Sequence, residues 1–459
     1  MKLAALIEPK KIAAPESPRF SNREIIKLAI PVIIEQFLAI LVGMADTLMV
    51  SYIGEEAVSG VSLVNQLNNV FILVFSAMAS GGAVVVSQYI GKKDQAKGNR
   101  TAGQLFLSSA VISVVITILV LIFSRPLFTL LFGTVDAGVM DAGIEYLTIS
   151  AFSFPFIAIY NSGAGIYRSM GKTRTTMIVS LCMNVINVGG NAIGVFVLHA
   201  GVAGVAYPSL ISRVFAAVVM FLLVLNRKNC VFVRMKDIFG LSWDIIRKIF
   251  HIALPQGAEM MLFQLSKVVL SAMIATFGVT QIAANGVAQS FWNMAALFNI
   301  AMGPVYITII GQYMGAGETD GAEYYMRKLT RMTMVGSVLW NAAFFGISML
   351  LLPLYNISAE TTSLVIILLI IHNIPDGFVG PMAFSVSSGL RAAGDIRYTT
   401  LAAIFSTCIC RVALSFLFAQ ALQMGVIGIT IAMICDWIIK AALIFVHYRN
   451  GKWKTFKMV

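Results

Sequence analysis

"YRSMGKTRTT" (residues 167–176) returns as "LRAAGDIRYT" (residues 390–399), pairing Arg168 with Arg391, Gly171 with Gly394 and Arg174 with Arg397 at an offset of 223. Taken alone, the first stretch resembles a phosphate loop, because Gly165 leads into Gly171, Lys172 and Thr173. Such a loop needs four residues between its first glycine and the Gly-Lys pair, so that successive N–H groups cradle phosphate. Here five intervene, Ile166 occupies the required position, and the approach is an apolar run of helical length rather than a strand. The second copy has Asp395 in place of Lys172, which is incompatible with a shared phosphate role. What the copies share is a helix end, a glycine turn and flanking arginines. That pattern predicts a cytoplasmic loop between two membrane spans, with the arginines anchored at the headgroups.

The duplication extends outward from this loop. At an offset of 224, Pro31 and Glu35 match Pro255 and Glu259, and Gly54 matches Gly278. "QYIG" at 88–91 matches "QYMG" at 312–315, and "GVAGVA" from Gly201 matches "GVIGIT" from Gly425. The 459 residues are 58% hydrophobic and 12% charged, with mean hydropathy +0.86, which excludes an ordinary soluble domain. Twelve apolar runs of spanning length are expected near 24–49, 60–86, 101–124, 142–166, 175–198, 202–225, 249–275, 285–310, 331–353, 362–388, 398–420 and 426–447.

The net charge of +12 is topology rather than a nucleic-acid footprint. All but five of the 33 Lys and Arg fall in the tails or in the loops after spans two, four, six, eight and ten, leaving Arg125, Arg213, Lys267, Arg411 and Lys440. Alternation of this kind places both termini in the cytoplasm. Residues 1–22 are polar, with no apolar core of a cleavable signal. The five cysteines lack zinc spacing and the four histidines form no HExxH pair, so no metal centre or hydrolase is indicated.

The expected fold is an all-α membrane protein of twelve transmembrane helices in two pseudo-symmetric six-helix lobes. The expected boundaries are a cytoplasmic tail at 1–22, an N-lobe at 23–226, a linker at 227–244, a C-lobe at 245–448 and a tail at 449–459. Six spans return the chain to its starting side, so the copies share one orientation, and rocking of such halves suits alternating access. A channel would be expected to show a filter repeat, and none is present.

These features resemble the multidrug and toxic compound extrusion (MATE) family of cation-coupled antiporters over about residues 23–448. The resemblance rests on the two-lobe repeat, the Pro fifteen residues before the Asp in "ADTLMVSYIG", the "SQYIG" end of span two, the two glycine loops and "GVAGVA". It implies that Asp46 matches the span-one acid. It also implies that Asn187 and Asn191 in "MNVINVGGNAIG" occupy an Asn-x-x-x-Asp pattern, and that Ser209 matches a span-six hydroxyl. By residue count, Asp46, Asn191 and Ser209 each lie about two turns from the outer end of their spans, so they can meet. One carboxylate with amide and hydroxyl oxygens suits Na⁺ at Asp46, Asn187 and Asn191, or protonation of Asp46.

In the C-lobe the resemblance implies acids where this chain has Phe263 and Gly380; Glu259 and Asp376 stand one turn earlier on the same faces. Lys267 lies two turns after Glu259, so a Glu259, Asp376 and Lys267 network is expected. Glu35, the repeat mate of Glu259, is a further candidate acid, and Asp436 with Lys440 reads as a structural i, i+4 pair. Arg213 and Arg411 are expected to meet headgroups or backbone carbonyls.

The functional expectation is an inner-membrane antiporter, not an enzyme. It would export small organic, cationic and amphipathic compounds against H⁺ or Na⁺, as a monomer in contact with lipid, without nucleic acid, nucleotide or cofactor. A flippase for a lipid-linked saccharide or other lipid is the alternative the resemblance leaves open.

Overall fold

The structure, a computed structural model, describes residues 8–9, 15, 18–133, 136–355 and 357–456; the remaining parts of the expected tails lie outside them. Among the described residues the chain is helical throughout, with no strand. The first half contains α1 (Asn22–Ser51), α2 (Glu55–Gly91), α3 (Gln95–Phe132), α4 (Ala137–Phe152), α5 (Phe154–Ser169), α6 (Thr173–Ala192) and α7 (Ala203–Val224). A short α8 (Met235–Phe239) leads into α9 (Trp243–Ala275), α10 (Val279–Ala295), α11 (Leu297–Gly315), α12 (Thr319–Leu351) and α13 (Ala359–Phe378). The second half closes with α14 (Val386–Ala393), α15 (Ile396–Ile404), α16 (Arg411–Ser415) and α17 (Gly425–Arg449).

Among the described residues, eleven helices are long and apolar enough to cross a bilayer, and α4 with α5 supplies a twelfth crossing bent by 46°. Helices are what lipid permits, because each backbone donor and acceptor must be satisfied within the segment. Large apolar side chains remain uncovered along them, such as Ile122, Leu130, Leu222 and Leu350, as a lipid-facing surface requires. The bend falls at Ser153, just before Pro155, whose ring removes one N–H from the helical ladder.

The duplicated loop has the expected geometry. Gly171 and Gly394 both take positive φ, 76° and 104°. At each, the glycine N–H reaches the arginine carbonyl and the next N–H reaches one residue further back: Lys172 to Tyr167 at 2.9 Å, Asp395 to Leu390 at 3.0 Å. This is a glycine-closed helix end, and it occurs at both copies. The headgroup role expected for the arginines is corrected, however, because Arg168 and Arg391 turn inward onto carboxylates.

The chain divides into two compact units, Ile26–Gly257 and Ala258–Val459 together with Met1–Ile25. In the first, Gln104 of α3 holds the linker helix: its Nε2 donates to the carbonyls of Asp237 at 2.7 Å and Gly240 at 3.1 Å, while its Oε1 accepts from Ser242 N–H at 3.1 Å. In the second, Glu8 pairs with Lys328 at 2.7 Å and Arg19 pairs with Glu318.

Helix α6 and the wide turn Ile193–Val197 that continues it pack closely on α7. A Cβ on Gly194 would lie 2.1 Å from the Gly204 carbonyl oxygen, and one on Gly190 would lie 2.6 Å from Pro208 Cβ. Small residues permit this approach, the usual device where helices pack in lipid. Gly194→Ala is therefore expected to lower the thermal unfolding midpoint in detergent, an overpacking cost of about 1–3 kcal/mol. Gly189→Ala, with nothing within 4 Å, should leave the midpoint unchanged; equal midpoints for both variants would contradict the contact.

Candidate functional site

Helices α1, α6 and α7 bring together Asp46, Asn187, Asn191 and Ser209, while Glu35 lies apart from them. Asn191 Nδ2 donates to Asp46 Oδ1 at 2.6 Å and, at 3.5 Å, to Asn187 Oδ1. Asn187 Nδ2 donates to Ser209 Oγ at 2.9 Å. Asn191 is fully buried and Asp46 half-buried, so the acid stands at the open edge of a polar cluster. The Asn191 carbonyl oxygen is buried and has no partner. An unused acceptor beside a carboxylate can receive a proton's hydrogen bond or help ligate a cation.

Arg213, expected at headgroups or carbonyls, belongs to this site instead. Its Nη1 donates to Ser153 Oγ at 2.6 Å, at the break in the fourth span, and its charge acts on both Asp46 and Tyr146. Among the described residues it makes no ion pair within 4 Å. The sequence signal was available: Arg213 follows Ser209 by four residues and so shares its helix face.

Glu35 is 5% exposed and fully engaged: Arg168 Nη2 lies 2.5 Å from Oε1, Tyr160 donates at 3.2 Å and Thr176 Oγ1 donates to Oε2 at 3.2 Å. Its repeat mate is engaged in the same way. Glu259 accepts from Arg391 Nη1 at 2.7 Å and from Lys440 Nζ at 3.3 Å. The same repeat-related Glu and Arg form a clasp in each unit.

The expected Glu259, Asp376 and Lys267 network does not form. Asp376 is fully buried and accepts from Asn341 at 2.9 Å and Asn299 at 3.1 Å. Gly380 makes room for it, since a Cβ there would meet the Asn299 amide at 2.4 Å. Lys267 lies over the Phe263 ring at 4.9 Å instead. Eight helical residues rise about 12 Å, too far for Lys267 to reach Glu259. The Asp436–Lys440 pair is also corrected, because Lys440 binds Glu259 and Asp436 accepts from Thr407 at 3.5 Å.

The chain is similar to known proteins along nearly its whole length. The MatE family profile matches residues 31–193 and 255–417, one match in each half. A protein named "Uncharacterized transporter YisQ", from Bacillus subtilis (strain 168), is 28% identical over 450 residues, covering 96% of this chain and 97% of its own. "Probable multidrug resistance protein NorM" of Thermotoga maritima is 25% identical over 449 residues, covering 94% and 93%. A solved structure described as an outward-facing multidrug resistance MATE family transporter superposes with a TM-score of 0.85 at 21% identity, covering 99% of both chains.

Proposed function

We propose, because this chain belongs to the MatE family of membrane transporters, that it exports small organic compounds by antiport against protons, with Asp46 as the coupling group. The family consists of transporters rather than enzymes, which agrees with a helical chain whose acids are enclosed by amides and arginines. The observation that carries the reading is the Asp46 and Asn191 pair, a half-buried intramembrane carboxylate beside an unpartnered amide oxygen. Protonated Asp46 would donate to that oxygen once the amide turns over. Ionised Asp46 keeps the Asn191 N–H and the field of Arg213. The two forms thus favour different arrangements of α1, α6 and α7, and only such a difference lets a gradient drive export.

A proton suits the site better than Na⁺. The cluster holds one carboxylate, a single formal negative charge to offset the dehydration of a metal ion. Lobes at 23–226 and 245–448 joined by 227–244, both termini cytoplasmic and a monomer in the cell membrane complete the proposal.

The test is efflux from proteoliposomes under imposed pH or Na⁺ gradients, in wild type and Asn191→Asp. Proton coupling predicts wild-type efflux driven by pH and indifferent to Na⁺, whereas Asn191→Asp should introduce Na⁺ stimulation through the added charge. Na⁺-stimulated efflux by wild type at fixed pH and membrane potential would overturn the proton assignment.

A further inference from the structure

Two intramembrane cations of the second unit have no carboxylate of their own. Arg411 is 6% exposed, forms no hydrogen bond or ion pair among the described residues, and leaves Nε buried without a partner. Its guanidinium carbon lies 5.5 Å from the centre of the Phe263 ring, and Lys267 Nζ lies 4.9 Å from the same centre. Wide, π-type turns flank Arg411 at Phe405–Cys410 and Phe416–Ala421. Turns of this type gather at functional sites, where they redirect a side chain.

Two buried donors of this unit, on Trp292 and Asn373, have no partner. The Trp292 ring stacks on His372 at 5.1 Å, and His372 Nδ1 meets Asn373 Oδ1 at 3.1 Å. Trp292 Nε1 and Asn373 Nδ2 are buried with no partner, and Arg411 is close enough to act electrostatically on His372. Glu259 is shared between Arg391 and Lys440, and Asp376 is enclosed by amides. Asp436 acts on Arg411 from beyond ion-pair distance and accepts from Thr407. Arg391 and Lys440 thus share Glu259, while Lys267 and Arg411 form no ion pair within 4 Å among the described residues. A cation without an ion-pair partner at this depth is costly, which makes a visiting anion the natural complement.

The internal duplication sharpens the contrast. At the 224-residue offset that carries Glu35 to Glu259, Arg411 corresponds to Asn187, and Lys267 corresponds to Gly43, one turn before Asp46. One position of the polar cluster in the first unit, Asn187, thus carries a cation in the second.

We propose that Lys267 and Arg411 form a binding site for an anionic group, a carboxylate or phosphate on the transported molecule, so that the substrates include organic acids and zwitterions. The inference rests on the transport reading above and narrows its substrate class. Arginine supplies a planar fork for two oxygens, lysine adds a point charge, and Phe263 offers a face to an apolar carrier. The anionic group has two sources, a dissolved organic acid or the headgroup of an anionic lipid.

The experiment uses the full chain in phosphatidylcholine nanodiscs, following tryptophan fluorescence and thermal midpoint with benzoate, phenyl phosphate and the neutral control benzamide. A second arm replaces part of the lipid with phosphatidylglycerol. Wild type should bind benzoate or phenyl phosphate but not benzamide, and Arg411→Gln and Lys267→Gln should each weaken binding by about tenfold or more, the loss of one charge-assisted contact. Lys267 is half-buried, so its variant keeps the test open if Arg411→Gln does not fold. Stabilisation by phosphatidylglycerol alone, lost in Lys267→Gln, would identify a lipid headgroup as the anion. No binding of any anion, or unchanged binding in both variants, overturns the site. pH-driven efflux measured on the same wild-type preparation separates the two readings: efflux without anion binding sinks this inference alone, and anion binding without efflux sinks the transport reading alone.

Discussion

Asp46→Asn should reduce pH-driven efflux to the level of protein-free liposomes while the protein stays folded. The variant keeps a group that can bond to Asn191, so the cluster at 2.6 Å loses its titration and not its hydrogen bond. Without a proton to bind, the site has equal affinity for the driving ion in every state, and equal affinity shifts no equilibrium. Substrate should still bind, and counterflow down a substrate gradient should continue. A variant that exports at the wild-type rate under a pH gradient would move the coupling role to the second unit's carboxylates, of which Asp376 and Asp436 form no ion pair within 4 Å among the described residues.

Glu259→Gln should be the most destabilising single change among the intramembrane acids. It strands two cations at once, Arg391 and Lys440, in a setting where they have been taken out of water. Breaking a buried ion pair from one side costs about 3–5 kcal/mol, most of it the penalty of the charge left behind. Glu35→Gln should cost less, since it strands only Arg168, and the hydroxyls of Tyr160 and Thr176 can still bond to an amide. The measurement is the thermal midpoint in detergent for both variants and for Glu259→Gln with Lys440→Met, which should recover part of the loss. A Glu259→Gln midpoint equal to wild type would show that the clasp contributes nothing.

The sequence made the first unit's site legible because its members carried independent depth markers. Asp46, Asn191 and Ser209 each sat a countable distance from a loop, so their meeting followed from helical rise alone. The glycine turns were legible for a similar reason, since Gly171 and Gly394 announced themselves by position and by repetition. The ionic partners of the second unit were not. Spacing along α9 relates Glu259 to Lys267, but Glu259 is answered from α14 and α17, 132 and 181 residues away. Helix rotation and neighbour choice decide such pairings, and a one-dimensional pattern carries neither. Arg168 and Arg391 were placed in the right turn with the wrong partner, because a headgroup and a buried carboxylate ask the same of an arginine.

The wide turns of the eleventh span also mark where the two halves differ in length. The loop arginines match at 223, and the glycines that open spans six and twelve match at 224, so the second copy is one residue longer between them. The turn at Phe416–Ala421 has its counterpart at Ile193–Val197, but the one at Phe405–Cys410 faces regular helix in the first copy. A single inserted residue enters a helix most cheaply as one widened turn, since the ladder resumes beyond it and downstream side chains keep their faces. Arg411 is the first residue after that insertion. The extra residue, absorbed within a turn, thus keeps the end of the span in phase, and the residue that follows it is a cation where the first copy has the amide Asn187.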